Sequence, residues 1–227
     1  MKTLVIIPAY NEEASLFSTV EALRSSCPNV DFIVVNDGSK DATAEICRSN
    51  NYPFLDLPIN LGLAGAFQAG MKYAHKHGYD CAIQFDADGQ HLPEYIEQLA
   101  TLTSEADIVV ASRFVDEPKP KTMRMLGSNL ISATIKATTG VEIKDPTSGM
   151  RAYNKKMIDV MANNLNMGPE PDTISYLIRK KGAKVKEVQA KMMERQAGES
   201  YLTAGVSVKY MLKMMISILF VQFFRKG

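Results

Sequence analysis

The amino-acid sequence predicts an α/β domain with a mainly parallel, Rossmann-like sheet and helices on both faces. Short apolar segments rich in β-branched residues alternate with segments of helical periodicity from the first residues onward. Carboxylate-bearing loops follow three of the predicted strands, and open parallel sheets bind ligands at that edge. The length of 227 residues and the hydrophobic content of 46% suit one large domain with an ordinary core.

The first half of the chain alternates strand and helix without interruption. Gly78 ends the third predicted helix, as glycine commonly does. Consecutive strands joined through helices pair in parallel, so this order predicts a mainly parallel sheet. The predicted strands lie at about residues 3–7, 31–35, 54–57, 79–85 and 107–111, and the predicted helices at about 14–23, 41–49, 63–77 and 93–103.

The alternation breaks after Ser112. A charged loop with two prolines, residues 116–121, precedes a predicted helix at about 125–138, and a loop in this position can cover a site. We interpret the rest as a second half of the same domain. Its predicted strands lie at 148–153 and 184–188, and its predicted helices at about 155–162 and 172–180.

Residues 203–224 are predicted to form one wide-faced amphipathic helix. Lys209, Lys213 and Ser217 share a narrow polar stripe, and apolar side chains occupy most of the remaining surface. The uncharged run 214–224 would span only about 16 Å at ~1.5 Å per residue, against the ~30 Å of a bilayer core. The helix therefore either contacts a membrane interface or a partner, or packs on the domain or in a homodimer. Its aromatic end, followed by Arg225 and Lys226, favours the first alternative.

Charge and cysteine content narrow the classes of partner. The net charge of +1 gives no reason to expect nucleic acid. Lys and Arg outnumber Asp and Glu in residues 179–227 and are outnumbered in the rest, which indicates either an anionic partner for the C-terminal part or a solvated basic face. Three scattered cysteines fit reduced thiols, and no signal peptide is visible, so we expect a protein that stays inside the cell.

Two carboxylates, Asp86 and Asp88, follow the predicted strand at 79–85. Hard divalent cations prefer oxygen ligands, and Mg2+ is usually held by one or two carboxylates together with substrate phosphates. The pair therefore fits half of a site whose other half is a diphosphate. An Asp-rich turn before the helix near Pro93 would give the same pattern, and the pair alone does not separate these interpretations.

Two further polar loops follow the first and second predicted strands, at residues 8–13 and 36–39. Asp37 could accept an N–H of a nucleobase, and Glu12 could meet a base or a ribose. Alternatively, Asn11 caps the next helix and Asp37-Gly38 is an ordinary turn. Three carboxylate-bearing loops on one sheet edge favour a common site.

In this order the motifs resemble those of the inverting glycosyltransferases of family 2, which have the GT-A fold. The motifs are Pro8-Ala9-Tyr10-Asn11-Glu12, Val35-Asn36-Asp37-Gly38-Ser39, Asn60-Leu61-Gly62 and Asp86-Ala87-Asp88. Further motifs, up to about Ser200, resemble the polyprenyl-phosphate (dolichyl-phosphate-type) sugar transferases of that family. They are Asp86 to His91, Ala111-Ser112-Arg113-Phe114, Asp145 to Tyr153 and Arg195 to Ser200.

The resemblance implies a role for each matching residue. The metal, Mg2+ or Mn2+, would be bound by Asp86, Asp88 and Gln90. The nucleotide would be held by Asp86 together with Pro8, Tyr10, Glu12 and Asp37. The acceptor phosphate would be bound by Arg113, Arg124, Ser128 and Arg195, and the catalytic residues would be Asp88, Arg113 and Arg195. In one departure, Tyr201 stands where such enzymes often carry Lys after Gly-x-Ser.

The implied activity is inverting transfer of a sugar from a UDP-sugar or GDP-mannose to polyprenyl phosphate at the cytosolic face of a membrane. Residues 1–202 would form the catalytic domain, with a nucleotide-sugar half at 1–112 and an acceptor half at 113–202. Residues 203–227 would contact the membrane, possible partners being a small membrane subunit or a second copy of the chain. The expected location is cytoplasmic and peripheral to the membrane.

Two alternative functions stay open at this point. One is a soluble family 2 enzyme that acts on a glycan hydroxyl in cell-wall or capsule polysaccharide synthesis, with Glu170 or Asp172 as base. Both residues could instead contact sugar hydroxyls or simply begin a helix. The other alternative is a non-catalytic subunit that binds a nucleotide sugar or docks on a membrane protein.

Overall fold

The computed structural model describes residues 1–193 and 204–224, and these contain one seven-stranded sheet. The spatial order is β3-β2-β1-β4-β6-β5-β7. All neighbouring strands pair in parallel except β6, which is antiparallel to β4 and β5. The predicted mainly parallel sheet is confirmed. The strands are β1 Thr3–Ala9, β2 Asp31–Asn36, β3 Phe54–Asp56, β4 Cys81–Gln84, β5 Ile108–Ser112, β6 Arg151–Asn154 and β7 Val185–Gln189.

Helices cover both faces of this sheet, as predicted. The segment at 93–103 begins with a 3-10 turn, Pro93–Tyr95, before its α-helix starts. The helices are α1 Leu16–Ser26, α2 Thr43–Ser49, α3 Gly62–Lys76, α4 Ile96–Leu102, α5 Met123–Thr139, α6 Lys155–Asn163, α7 Pro171–Lys181 and α8 Ala204–Phe224.

The central strands are buried on both faces, which explains their continuous apolar sequence. Along β1, Val5 and Ile7 belong to the core on one face, and Leu4 and Ile6 belong to the core on the other. Helix α3 packs closely on the second face at Gly70. A Cβ added there would lie only 2.3 Å from Cγ2 of Ile6, so no larger residue fits without a shift of the neighbouring atoms. The sheet is thus held firmly, and its polar loops are confined to the strand ends.

Helix α8 packs on α5 and α7 over a separate apolar cluster that includes Ile135, Ile174 and Ile218. Residues of the predicted polar stripe lie in different environments. The hydroxyl of Ser217 donates to the carboxylate of Asp172 on α7, so Ser217 faces the protein rather than solvent. Lys213 is exposed, and the side chain of Lys209 lies outside the described residues.

The outer surface of α8 is largely apolar, because Leu212, Ile216, Leu219 and Phe220 are exposed. The helix thus presents apolar residues both to the core and to solvent. Among residues 1–193 and 204–224, we find no helix that combines the length and the apolar character needed to cross a bilayer.

Candidate active site

The loops after β1 and β2 are joined by hydrogen bonds at the carboxyl edge of the sheet. The backbone N–H of Asp37 donates to the carbonyl of Ala9 at 2.9 Å. The N–H of Asn11 donates to Oγ of Ser39 at 3.0 Å, and that of Glu12 to Oγ1 of Thr43 at 2.9 Å. The structure therefore brings together two of the loops that the sequence placed at one edge.

The residues predicted to hold the nucleotide lie along this edge. Pro8 is the next-to-last residue of β1, and Tyr10 and Glu12 follow the strand with partly exposed side chains. Oε2 of Glu12 accepts a hydrogen bond from the hydroxyl of Ser15 at 2.8 Å, just before α1. Glu12 thus helps to begin that helix, and its contact with a base or ribose stays a prediction.

Asp37 positions the third motif at this edge, Asn60-Leu61-Gly62. Its side chain is almost fully buried, and Oδ1 accepts the backbone N–H of Leu61 at 2.7 Å. Burial raises the pKa of the Asp37 carboxyl above its ordinary value, although N–H groups of Leu61 and Gly62 act in the opposite direction. Gly38 has a φ of 66°, and a Cβ there would lie 2.8 Å from backbone atoms of Ile59 and Asn60. Only glycine fits this turn without strain.

Asp86 is supported by side chains on two sides. Its Oδ1 accepts a hydrogen bond from Nε2 of Gln84 at 3.0 Å, and its backbone N–H donates to Nδ1 of His91 at 2.9 Å. Nε2 of the buried His91 lies 3.6 Å from Oδ2 of Asp86, and the ring meets Phe85 edge-on. Because Nδ1 accepts a hydrogen bond, the neutral ring carries its proton on Nε2, toward Asp86. His91 therefore positions the carboxylate.

Asp88 and Gln90 lie on the loop that follows. Oδ1 of the nearly buried Asp88 accepts the N–H of Gln90 at 3.1 Å. The carbonyl of Gln90 accepts the N–H of Met193 at 2.9 Å, and the side-chain amide of Gln90 donates to the carbonyl of Met193 at 3.4 Å. The amide oxygen, Oε1, is the atom of Gln90 that could coordinate a metal, because the amide nitrogen is a hydrogen-bond donor only.

The space beside Asp86 suits a cation shared with a ligand. A Cβ at Gly149 would lie 2.5 Å from Oδ2 of Asp86, so the glycine keeps this side of the carboxylate open. In the part of the chain that the structure describes, no three His, Cys, Asp or Glu side chains form a metal-binding group. Two carboxylates with open space fit a hard divalent cation that takes its remaining oxygens from phosphates.

A buried ion pair lies at the same edge of the sheet, directly after β5. Arg113 donates from Nε to Oδ2 of Asp145 at 2.8 Å and from Nη2 to Oδ1 at 2.9 Å. Burial alone would raise the pKa of Asp145, but the hydrogen bonds and charge of Arg113 outweigh it and hold that pKa below its ordinary value. Glu187 on β7 accepts the backbone N–H groups of Lys144 and Asp145 and fixes this loop.

Ser128, another predicted phosphate ligand, is buried on α5, where its Oγ accepts a hydrogen bond from Nζ of Lys119 at 3.2 Å. Lys119 was not identified as a site residue from the sequence, although it lies in the charged loop noted there. The side chain of Arg124 and all of Arg195 lie outside the described residues. The structure therefore describes two of the four predicted acceptor-phosphate residues, Arg113 and Ser128.

Arg151 is a second residue that the sequence did not single out. It is fully buried and donates to the carbonyls of Pro146 and Pro169, so it joins the loops before β6 and α7. The second loop carries Glu170, whose pKa burial raises. The carboxylate of Asp172 accepts hydrogen bonds from the backbone N–H of Thr173 and from the hydroxyl of Ser217. Asp172 therefore lies at the start of α7 and is bonded to α8.

The fold and the site together define the class: a glycosyltransferase with the GT-A fold. The chain belongs to glycosyl transferase family 2, whose sequence model matches residues 4–161.

Characterised relatives extend over most of the chain. The undecaprenyl-phosphate mannosyltransferase of Micrococcus luteus is 33% identical over 218 residues, which cover 91% of this chain and 89% of the relative. The polyprenol monophosphomannose synthase of Mycolicibacterium smegmatis is 29% identical, with coverage of 94% and 85%.

Among solved structures, glucosyl-3-phosphoglycerate synthase of Mycobacterium tuberculosis shares the fold. Its complex with phosphoglyceric acid superposes with a TM-score of 0.72 at 16% identity, covering 96% of this chain and 79% of the other. A complex of the same enzyme with Mn2+ and UDP-glucose gives a TM-score of 0.69 at 15% identity, with coverage of 97% and 78%.

Replacing Gly149 with Ala should weaken binding of UDP or GDP in the presence of Mn2+ about tenfold or more, because the new Cβ displaces the Asp86 carboxylate. Titration calorimetry measures this directly. Ser148→Ala, next to Gly149 in the same loop, serves as the control. It removes a buried hydrogen bond to the carbonyl of Ala111 on β5 without touching Asp86. Equal losses of affinity in both variants would assign the effect to the loop as a whole.

Replacing Asp145 with Asn should lower the free energy of unfolding by about 3 kcal/mol at neutral pH, because Arg113 loses its buried carboxylate partner. The folded-state pKa of Asp145 is lowered, so its stabilisation is present above the ordinary carboxyl pKa and is lost as pH falls through the folded value.

Urea unfolding of both proteins between about pH 7 and pH 3 should therefore show a difference that shrinks toward acid pH. Asp116→Asn, at an exposed carboxylate of the neighbouring loop, is the control and should change stability little. A penalty for Asp145→Asn that is independent of pH would argue against the ion pair as its cause.

Proposed function

We propose that the protein transfers a sugar from a nucleotide sugar, a UDP-sugar or GDP-mannose, to polyprenyl phosphate with inversion at the anomeric carbon. One observation carries this proposal: the carboxylate pair and the Arg113–Ser128 region are on the same edge of one sheet, on either side of β6. Diphosphate and acceptor phosphate can then approach a common point. The names of the two relatives, a mannosyltransferase and a monophosphomannose synthase acting on polyprenyl lipids, support it.

The donor half, residues 1–112, binds the nucleotide in this proposal. Pro8, Tyr10 and Glu12 line its β1 side, and Asp37 faces the base. The burial of Asp37 and its bond to the N–H of Leu61 fix the carboxylate before the ligand arrives, so little ordering entropy is lost on binding.

Asp86 and Asp88, with Oε1 of Gln90, hold Mg2+ or Mn2+ in this proposal. When bound, the cation stabilises the negative charge that grows on the leaving diphosphate. The Mn2+ in the complex of the structurally similar synthase supports a divalent ion as cofactor. Gln84 and His91 keep the Asp86 carboxylate oriented, and Gly149 leaves the space that the diphosphate needs.

The acceptor half, residues 113–202, binds the lipid phosphate through Arg113, Arg124, Ser128 and Arg195. A phosphate oxygen is already anionic near neutral pH, so it attacks the anomeric carbon without a general base. The new bond forms on the face opposite the leaving nucleoside diphosphate, whose bond to the same carbon breaks, and the configuration inverts. Cationic side chains orient the nucleophile in this scheme.

A glycan hydroxyl as acceptor is the second candidate, with Glu170 or Asp172 as the base. A hydroxyl needs a base, and burial raises the pKa of Glu170 toward the range in which a carboxylate accepts a proton efficiently. The third reading, a non-catalytic nucleotide-sugar-binding subunit, would keep donor binding and show no transfer to either acceptor.

Residues 203–227 attach the protein to the cytosolic face of a membrane in this proposal, and the catalytic domain is cytoplasmic and peripheral. Two packed helices offer a shared apolar surface for this contact, which we call the α5–α8 surface. The two helices pack closely because Gly127 on α5 meets Met211 on α8. The exposed residues of the α5–α8 surface are Met123, Leu126 and Leu130 on α5 and Leu212, Ile216, Leu219 and Phe220 on α8. A small membrane subunit or a second copy of the chain are the other possible occupants.

Purified protein with labelled nucleotide sugars and a divalent metal should transfer label to polyprenyl phosphate and not to oligosaccharides. In parallel, Asp88→Asn should lower kcat by at least about 100-fold. It removes a charged ligand of the cation that stabilises the negative charge developing on the leaving diphosphate in the transition state. Removal of the metal with EDTA should have the same effect.

Thermal unfolding of Asp88→Asn provides the folding control. Transfer to oligosaccharide alone, with loss of that activity in Glu170→Gln, would favour the hydroxyl acceptor. Donor binding without transfer to any acceptor would indicate the non-catalytic subunit. Full activity of Asp88→Asn would remove the metal assignment.

Changing Ile216 and Phe220 to Ser should reduce co-flotation with liposomes that contain anionic lipid by about tenfold or more, since burying each large apolar side chain contributes roughly 1.5 to 3 kcal/mol. Leu165→Ser is a matched control, because Leu165 is even more exposed and lies between α6 and α7. Unchanged flotation, or an altered oligomeric mass in sedimentation, would point to a protein occupant of the surface.

A further inference from the structure

Lys119 is held in an unusual position for a lysine in a charged loop. Its Nζ donates to Oγ of the buried Ser128 at 3.2 Å and lies 5.6 Å from the ring centroid of Phe114. The guanidinium carbon of Arg113 lies 5.1 Å from the centroid of the same ring. One aromatic side chain therefore has two cations close to it, although like charges repel each other.

Two carboxylates balance these cations in part. Asp145 is fully buried and pairs with both Nε and Nη2 of Arg113. Glu187 is engaged with the backbone N–H groups of Lys144 and Asp145. Much of the charge of Arg113 is thus already neutralised by the protein, and an incoming phosphate bound by Arg113 alone would meet the negative charge of Asp145 behind it.

We propose that Lys119 is a further ligand of the acceptor phosphate. When it binds, the phosphate replaces the Ser128 hydroxyl as the hydrogen-bond acceptor of the Lys119 ammonium group. This inference rests on the proposed function, because it concerns the acceptor of the same site. Because Asp145 already neutralises much of the charge of Arg113, Lys119 provides the positive charge that the phosphate needs. Ser128 is then released as a hydroxyl donor to the same phosphate.

The position of Lys119 before α5 fits a phosphate that carries a hydrocarbon chain. Thr122 caps α5, accepting the N–H of Met125. The exposed apolar row of α5 begins one residue later, at Met123. A lipid phosphate at Lys119 therefore meets cations at its head and apolar side chains along its tail, whereas free phosphate uses only the cations.

The charge state of Lys119 gives this role a signature in pH. Burial lowers the pKa of Lys119 below its ordinary value, Arg113 acts in the same direction, and Asp145 and Glu187 oppose them. The free site thus loses its ammonium charge at a lower pH than an exposed lysine would. Acceptor affinity should fall as pH rises through that pKa, and a permanently charged guanidinium in place of the amine should remove the fall.

The experiment compares Lys119→Met, Lys119→Arg and the control Lys121→Met, which changes an exposed lysine of the same loop. Calorimetry with a short-chain isoprenyl phosphate gives Kd, and transfer assays give KM for acceptor and donor. Lys119→Met should raise the acceptor Kd and KM about 10- to 100-fold, the usual effect of losing a hydrogen bond to a charged group, with donor KM unchanged. Lys119→Arg should retain affinity and lose the alkaline fall between about pH 7 and pH 10.

An unchanged acceptor Kd in Lys119→Met, or an equal rise in donor KM, would overturn the inference while the proposed function stands. So would an equal loss in Lys121→Met, since it would indicate a diffuse electrostatic effect. If the unmodified protein binds the isoprenyl phosphate and transfers no sugar to it, the proposed function fails and the calorimetry still decides the role of Lys119. Binding of inorganic phosphate as tightly as the isoprenyl phosphate would contradict the lipid part of the inference.

Discussion

The parallel pairing of β1 with both β2 and β4 is the constraint on which the site depends. It aligns the carboxyl ends of three strands, so loops separated by dozens of residues in the chain begin side by side. The register is held by side chains buried on both faces of β1, where Ile6 packs against Gly70 of α3. A shift of one residue would exchange the two faces of β1, so the site geometry and the core are specified together.

Charge is divided across this edge. The loops after β1, β2 and β4 present carboxylates, and the segment after β5 presents cations around Phe114. Each set is held by neutral or oppositely charged groups: Gln84 and His91 orient Asp86, and Asp145 orients Arg113. Such fixed groups interact strongly with charged ligands because they need not reorganise when the ligand binds.

Much of the fold could be predicted from the sequence because the strands are buried on both faces and therefore read as continuous apolar runs between helical segments. The Asp86–Asp88 motif and the β1 and β2 loops were placed at one edge by the same alternation. Contacts between distant loops were not predictable. The Lys119–Ser128 bond and the Arg151 bonds to Pro146 and Pro169 depend on loop geometry. On α8, which is apolar nearly all round, periodicity could not show that Ser217 faces inward.

The paired hydrogen bonds between Gln90 and Met193 tie the acidic loop after β4 to the segment that follows β7. Gln90 belongs to the acidic loop, and Met193 is two residues before Arg195 in the chain. A metal bound by Oε1 of Gln90 would leave the amide nitrogen bonded to the Met193 carbonyl, so one side chain would serve both the cation site and the segment after β7. Any coupling carried by this side chain would be reciprocal, because a ligand that changes affinity on one side must itself be bound differently, by the same factor, when the other side is occupied.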